Sequence, residues 1–229
     1  MLTTRTEHDF LGNREIENDK YYGIQTLRAI ENFDITGITI SHNPGLIHAF
    51  AMVKKACAQA NEELAVIEPN ISKAIQQASD ALMAGELIDQ FPVDAIQGGA
   101  GTSTNMNVNE VIANKALEIL GHKKGEYDIV HPNNHVNCSQ STNDTYPTAF
   151  RLALYNNLNK LECAVRSLEK AFAKKGEEFK DILKMGRTQL QDAVPMSLGD
   201  EFTAFAVTLD DDIKCLKDAQ NLLLSLIHI

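Results

Sequence analysis

The chain has 229 residues, 44% of them apolar, enough to bury the core of one large domain or two small ones and too many for a disordered segment. Its 31 acidic and 21 basic residues give a net charge of −10 without any concentrated cationic face, which argues against a nucleic-acid partner. No apolar run is long enough to span a membrane, and the opening "MLTTRTEHDFLGNREI" has no hydrophobic signal core, so the expectation is a cytoplasmic protein with no membrane partner.

Residues 1–44 carry turn formers and no sustained periodicity, and read as mostly loop with short elements. Leu46, Phe50, Val53, Cys57, Ala60, Leu64 and Ile67 then alternate steps of four and three, which predicts an amphipathic helix ended before Pro69. A second helix is predicted over Ile71–Ala84, with Gly85 as its stop. The stretch "QGGAG" reads as a loop, and a third helix follows over Val108–Leu120, closed by Gly121. Beyond "HPNNHVN", Leu154, Leu158, Leu161, Val165, Leu168, Phe172, Phe179 and Ile182 keep the four-three spacing. That helix outruns the usual length of roughly 11 to 12 residues and belongs in a bundle or coiled coil. A further long helix is predicted from about Met196, with Leu198, Phe202, Phe205, Leu209, Ile213, Leu216 and Leu223 on one stripe. No useful strand-like alternation and no internal repeat is visible, so the fold class is mainly α.

The final residues "LSLIHI" break the rhythm of the preceding turns and match the translation of a common sequencing-library adapter. Leu224 to Ile229 are therefore expected to be a non-native tail. Cys57, Cys138, Cys163 and Cys215 are widely spaced with no CxxC pair, which predicts small buried thiols and neither a disulfide framework nor a zinc site.

Three clusters of hydroxyls and amides carry the functional signal. They are "GTSTNMN" with Thr104, "QSTND" with Ser141, Thr142 and Asn143, and "GRTQLQ" with Thr188 and Gln189, each read as lying at or before a helix start. A single such cluster is explained by N-capping, which needs one side chain. Three clusters, each richer than a cap requires, point to a bound anion held by backbone N–H groups, helix dipoles and neutral donors. Phosphate is the weaker ligand, because "GGAGTS" lacks the P-loop lysine and follows no strand, and GxGxxG is absent. A dicarboxylate fits better, since uncharged donors can tighten around a carboxylate as it gains charge.

The segments "DKYYGIQTLRAIENF", "GTSTNMNVNEV", "QSTNDTYPTAFR" and "MGRTQLQDAVPMSLGDEF" resemble signature blocks of the aspartase/fumarase superfamily, and the similarity runs from about Phe10 to Leu223. "QGGAGTS" and "LKMGRTQLQDAVPM" resemble the aspartase branch more than class II fumarases, which have "GSGTQSNMN" in the first block and His in place of Gln189. The resemblance implies an N-terminal helical domain over 1–140 and the first long helices of an incomplete central bundle over 141–223. It also implies a homotetramer whose active sites each draw on three subunits. The implied reaction is reversible anti-elimination of ammonia from L-aspartate to fumarate through an aci-carboxylate. No cofactor is required, and a divalent cation enters only as an activator.

By the same resemblance, Thr104, Ser141 and Thr142 grip the substrate's β-carboxylate, Asn143 meets its amino group, and Thr188 and Gln189 line the substrate from another subunit. The family's serine loop, with a GSSxMPxKxNP-like pattern that carries the base, has no match in the sequence, so the catalytic base is expected beyond the C-terminus and the fragment is expected to be inactive.

His131 and His135 in "HPNNHVN" are spaced like a metal pair, but Pro132 interrupts any helix that would align them. Asn134 stands where fumarases have Asp in a secondary anion site, leaving a structural or regulatory loop as the reading. Arg28 reads equally as part of an activator or entry region and as an exposed surface arginine, and Asp144 as a helix-start partner. The alternatives are a class II fumarase or another lyase acting on a succinyl compound, and a non-catalytic helical oligomerisation module.

Overall fold

The computed structural model describes residues 3–224, so of the expected tail only Leu224 falls within the described residues. The chain divides into two compact units, one ending at Ala153 and one beginning at Leu154. Most described residues are helical, as the periodicities predict, but two antiparallel hairpins are present that the sequence reading did not anticipate.

In the first hairpin, β1 (Thr4–Asp9) pairs with β2 (Gly12–Glu17), with Asp9 opposite Gly12 across the turn. Gly12 has φ +104°, a conformation that glycine adopts without strain. The hairpin escaped notice because its inward residues are Glu7 and Ile16, so one of the two buried positions is a charged residue and the alternation vanishes. Helix α1 (Ile24–Asn32) follows.

Helix α2 (Pro44–Glu63) has Pro44 in its first turn, and its cap Asn43 accepts from the Leu46 N–H. It stops short of Ile67, which is buried beyond its end. Pro69 opens α3 (Pro69–Met83) as its first residue. Helix α4 (Thr102–Ile119) begins six residues before the predicted Val108. The polar run 102–107 has poor intrinsic helix propensity, and tertiary burial of Thr104, Asn105 and Asn107 overrides it. The core of this unit gathers Ile47 and Phe50 of α2, Ile75 and Leu82 of α3, Phe91 and Val93 of a connecting segment, and Val108, Ile112 and Leu117 of α4. Each such side chain contributes about 1.5–3 kcal/mol by leaving water.

Helix α5 (Thr142–Glu178) is 37 residues long and tolerates Pro147 near its start, so the boundary between the units falls inside it. It ends before Phe179 and Ile182, whose carbonyls instead accept from the Gly199 and Leu198 N–H groups. The second hairpin pairs β3 (Leu183–Thr188) with β4 (Gln191–Ser197), with an irregular register between Met185 and Arg187. Almost all of its side chains are exposed or half-buried, so neither face carries the alternation that would have revealed it. Helix α6 (Leu198–Leu223) starts with a capping box. Ser197 accepts from the Asp200 N–H while the Asp200 carboxylate accepts from the Ser197 N–H. Within the second unit, Phe172, Phe179, Phe202 and Phe205 pack in edge-to-face and tilted pairs with centroids 5.4–6.0 Å apart.

Candidate functional site

The glycine-rich loop and the start of α4 form one half of the site in the first unit. Gly101 is the α4 N-cap at φ +85°, and a Cβ there would lie 2.2–2.6 Å from ring carbons of Tyr146 on α5. Only glycine lets the two helix starts approach this closely. Gly101 has no side chain to cap α4, and Gln97 takes that part from outside the helix. Its Oε1 accepts from the Thr104 N–H at 2.9 Å, and its Nε2 donates to Thr104 Oγ1 at 2.7 Å. Thr104 itself is fully buried.

The start of α5 forms the other half. Ser141 Oγ accepts from the Asn143 N–H at 3.2 Å, and the Ser141 carbonyl accepts from the N–H groups of Asp144 and Thr145. Ser141 and Asn143 are exposed and Thr142 is half-buried. Thr142 Oγ1 accepts from Asn105 Nδ2 at 3.2 Å, which ties the two halves together through the residue that follows Thr104. Thr104, Ser141 and Thr142 share one property. Each hydroxyl oxygen accepts a hydrogen bond from the protein, and none of the three donates to an acceptor among the described residues. A hydroxyl is both donor and acceptor, so each keeps its own proton for another group.

Behind this wall lies a buried amide network. Asn137 Oδ1 accepts from Lys54 Nζ at 2.9 Å, Asn105 Nδ2 at 3.0 Å and Asn109 Nδ2 at 3.3 Å. Lys54 Nζ also donates to Gln140 Oε1 at 2.9 Å. The Oδ1 atoms of Asn105, Asn107 and Asn109 have no hydrogen-bond partner although all three residues are buried. Lys54 is completely shielded from solvent, and that burial pulls its amine down to about 7. The sequence reading missed Lys54, Gln97, Asn105, Asn137 and Gln140. The one available signal was a lysine within the apolar stripe of α2, between Val53 and Cys57.

Thr188 and Gln189 lie in the second unit, and the structure corrects their setting. Thr188 ends β3, and Gln189 at φ +48° and Leu190 at φ +63° make the turn into β4, while α6 begins only at Leu198, capped by Ser197. Their backbone therefore offers no helix N-terminus.

His131 and His135 sit around a π turn, Pro132–Val136. His131 Nδ1 accepts from the Asn133 and Asn134 N–H groups, and His135 Nδ1 accepts from the His131 N–H at 2.9 Å. Both rings thus carry their protons on Nε2, and burial lowers both pKa values, which favours the neutral rings. Among the described residues no three His, Cys, Asp or Glu side chains converge as a metal-ligand set. Arg28 is not a free surface arginine: its guanidinium makes two 2.7 Å bonds to the Asp9 carboxylate and pins the first hairpin to α1. Asp144 lies in the first turn of α5, and its carbonyl accepts from Thr148. The four thiols are free, but none is buried. Cys57 and Cys138 are half-buried, and Cys163 and Cys215 are exposed.

One more anchor was not legible in the sequence. The buried Glu110 carboxylate of α4 accepts from the N–H groups of Gly23, Gln25 and Thr26 and from the Thr26 hydroxyl, so it caps α1 from a distant part of the chain. Burial pushes this carboxyl up to about 7 against those hydrogen bonds.

A family profile described as Lyase matches residues 12–228. Aspartate ammonia-lyase of Helicobacter pylori strain J99 is 57% identical over 217 residues, covering 95% of this chain and 46% of the relative. Aspartate ammonia-lyase of Escherichia coli K12 is 55% identical over 221 residues, covering 96% and 46% respectively. The chain thus spans about half the length of the curated relatives it matches. Among solved structures, the fumarate lyase:delta crystallin of Brucella melitensis superposes with a TM-score of 0.94 at 53% identity, over 96% of this chain and 51% of that one. The class II fumarase of Schistosoma mansoni gives 0.89 at 34% identity, over 96% and 46%.

Proposed function

The chain belongs to the lyase family of the aspartase/fumarase superfamily, and on that premise we propose that it forms the first part of an aspartate ammonia-lyase. The reaction is the reversible anti-elimination of ammonia from L-aspartate to give fumarate. The observation that carries this reading is the set of hydroxyls at Thr104, Ser141 and Thr142, each accepting from the protein and each with its proton uncommitted.

The chemistry needs such donors. The proton on the carbon next to the β-carboxylate is removable only if that carboxylate can pass into a doubly negative aci form. Hydroxyl protons aimed at its oxygens stabilise the added charge without holding the singly charged ground state as tightly, and each is worth roughly 3 to 4 kcal/mol in the barrier. Thr104 is fully buried behind Gln97, so of the three hydroxyls those of Ser141 and Thr142 are the more open to substrate. Asn143, exposed at the α5 start, is placed by this reading against the substrate's amino group. Thr188 and Gln189 are assigned to the wall of a site completed by other subunits of a cytoplasmic homotetramer.

The base is assigned to a serine loop. No segment of the 229 residues carries its GSSxMPxKxNP-like pattern, so the proposal places the base outside them and expects this chain alone to be inactive. The reading requires no cofactor, and a divalent cation acts only as an activator.

A second reading, hydration chemistry on a succinyl compound as in class II fumarases, has the fold in its favour but lower sequence identity: 34%, against 55% and 57% to the two aspartate ammonia-lyases. A third applies to this chain by itself. The apolar side chains exposed along the second unit, such as Leu161, Leu168 and Phe205, suit a helical oligomerisation module. Gel filtration of the 229-residue chain tests that third reading, which predicts self-association. A monodisperse monomer would remove it.

A further inference from the structure

Lys54 is a buried cationic group of the first unit whose cost the fold does not explain. An amine taken out of water is expensive unless a carboxylate meets it, and among the described residues no carboxylate does. Its two acceptors are amide oxygens, those of Asn137 and Gln140, each at 2.9 Å. Methionine would fill the same volume without that penalty. The turn it holds is itself unusual: Ser139 sits at φ +59°, and Asn61, two turns along α2 from Lys54, donates to the Cys138 carbonyl at 3.0 Å. Two α2 side chains therefore fasten the turn that leads directly into Ser141 and Thr142.

We propose that Lys54 is the positioning residue of the hydroxyl wall: acting through Asn137 and Asn105, it sets the direction in which Thr142 presents its hydroxyl proton. The chain of contacts is short. Lys54 fixes the Asn137 amide with its oxygen towards α4, and that oxygen takes one N–H of Asn105. The other N–H of Asn105 is left for Thr142 Oγ1, and it occupies the oxygen so that the hydroxyl's own proton faces away. Without the amine, Asn137 Oδ1 loses its cationic donor and keeps the neutral amides of Asn105 and Asn109, with its Nδ2 on the Gln140 carbonyl, so its hold on Asn105, and through it on Thr142, loosens. The inference rests on the dicarboxylate reading of that wall. The electrostatic setting is simple. Cys57, on the same helix, is the titratable group acting on Lys54, while α4 and the 137–140 turn face it with the neutral amides Asn105, Asn109, Asn137 and Gln140.

The test is nuclear magnetic resonance on the 229-residue chain, following the Lys54 side chain, the side-chain amides of Asn105 and Asn137, and the Thr142 backbone amide as pH is varied. The expected result is one shared midpoint near the Lys54 value of about 7. In Lys54→Met those amide signals move and cease to titrate, while the methyls of Ile75 and Leu82 stay in place. Amides that ignore the Lys54 titration, or that hold their wild-type positions in Lys54→Met, overturn the proposal. If Lys54→Met does not fold, the wild-type titration alone decides between the two outcomes. In the whole protein, Lys54→Met should lower kcat on L-aspartate about tenfold to a hundredfold with a smaller change in KM. An unchanged kcat overturns the proposal as well. A wild-type whole protein with no lyase activity defeats the lyase reading instead, and the shared titration still decides the role of Lys54.

Discussion

The two units of the chain solve opposite problems. The first buries polar groups: Lys54, Glu110 and four asparagines of α4 lie inside a core whose apolar members are mainly Ile, Leu, Val, Phe and Ala. The second exposes apolar ones. Ala206 and Ile213 are its only buried apolar residues among those described, while Leu161, Leu168, Val207 and Leu222 face outward. Burying an amide or an amine costs free energy unless it is hydrogen-bonded, and exposing a long apolar stripe forgoes the main driving force of folding. A domain selected only for stability would do neither. The buried polar groups of the first unit hold loops and helix starts in place. The outward stripe of the second has the chemistry of a surface made to be covered, which agrees with the tetramer in the proposed function.

The largest expected effect breaks the polar core directly. Glu110→Ala removes the acceptor of three N–H groups and one hydroxyl at the start of α1. Chemical denaturation should register a loss of at least about 3 kcal/mol, because each buried donor left unpaired is costly. A loss under about 1 kcal/mol would mean that water replaces the carboxylate there.

Gly101→Ala comes next. Its Cβ would enter the Tyr146 ring at a φ that side chains rarely adopt, and a fall of about 1–3 kcal/mol is expected from thermal melts.

A pH dependence follows from the buried amine. The pKa of Lys54 is lower in the folded chain than in the unfolded one, so between about 7 and the ordinary lysine value of 10.5 the unfolded chain holds more protons. Wild-type stability should therefore climb with pH through that window. Relative to Lys54→Met, which lacks this group, the gain is roughly 2 kcal/mol from about pH 7.5 to about pH 9. Parallel urea midpoints at the two pH values would show the difference, and a pH-independent difference would contradict a buried amine.

The smallest effect belongs to the apolar stripe of the second unit. Leu161→Gln, at an outward position of α5, should change the stability of the isolated chain by less than about 0.5 kcal/mol while reducing its self-association in gel filtration. A marked loss of stability would place Leu161 in the unit's own core.

The difference between the units also explains what was legible before the structure. Long four-three stripes revealed α2, α5 and α6 because large apolar side chains dominate those helices, and Ser141, Thr142 and Asn143 were visible as an over-rich helix start. Six residues of α4 were hidden, since Thr, Ser and Asn write a loop pattern even when tertiary contacts hold them in a helix. The hairpins were hidden too, one by a buried Glu7 and the other by having no buried face. Thr188 and Gln189 were placed before a helix because a turn rich in polar residues and a helix cap share a vocabulary. A lysine within the apolar stripe of α2 was the one sign of Lys54 in the sequence, but its partners were hidden: only the fold brings Asn137 and Gln140 to it, from 83 and 86 positions away.

The lyase reading is tested most directly by assaying the whole protein, expressed from the gene's full reading frame, for fumarate formed from L-aspartate and, separately, from L-malate, beside its Thr142→Val variant. Fumarate is expected from L-aspartate in the wild type. Thr142→Val, which removes a proton that Asn105 directs outward, is expected to lose about a hundredfold to a thousandfold in kcat. Turnover of L-malate alone, or a Thr142→Val enzyme as fast as the wild type, would contradict it.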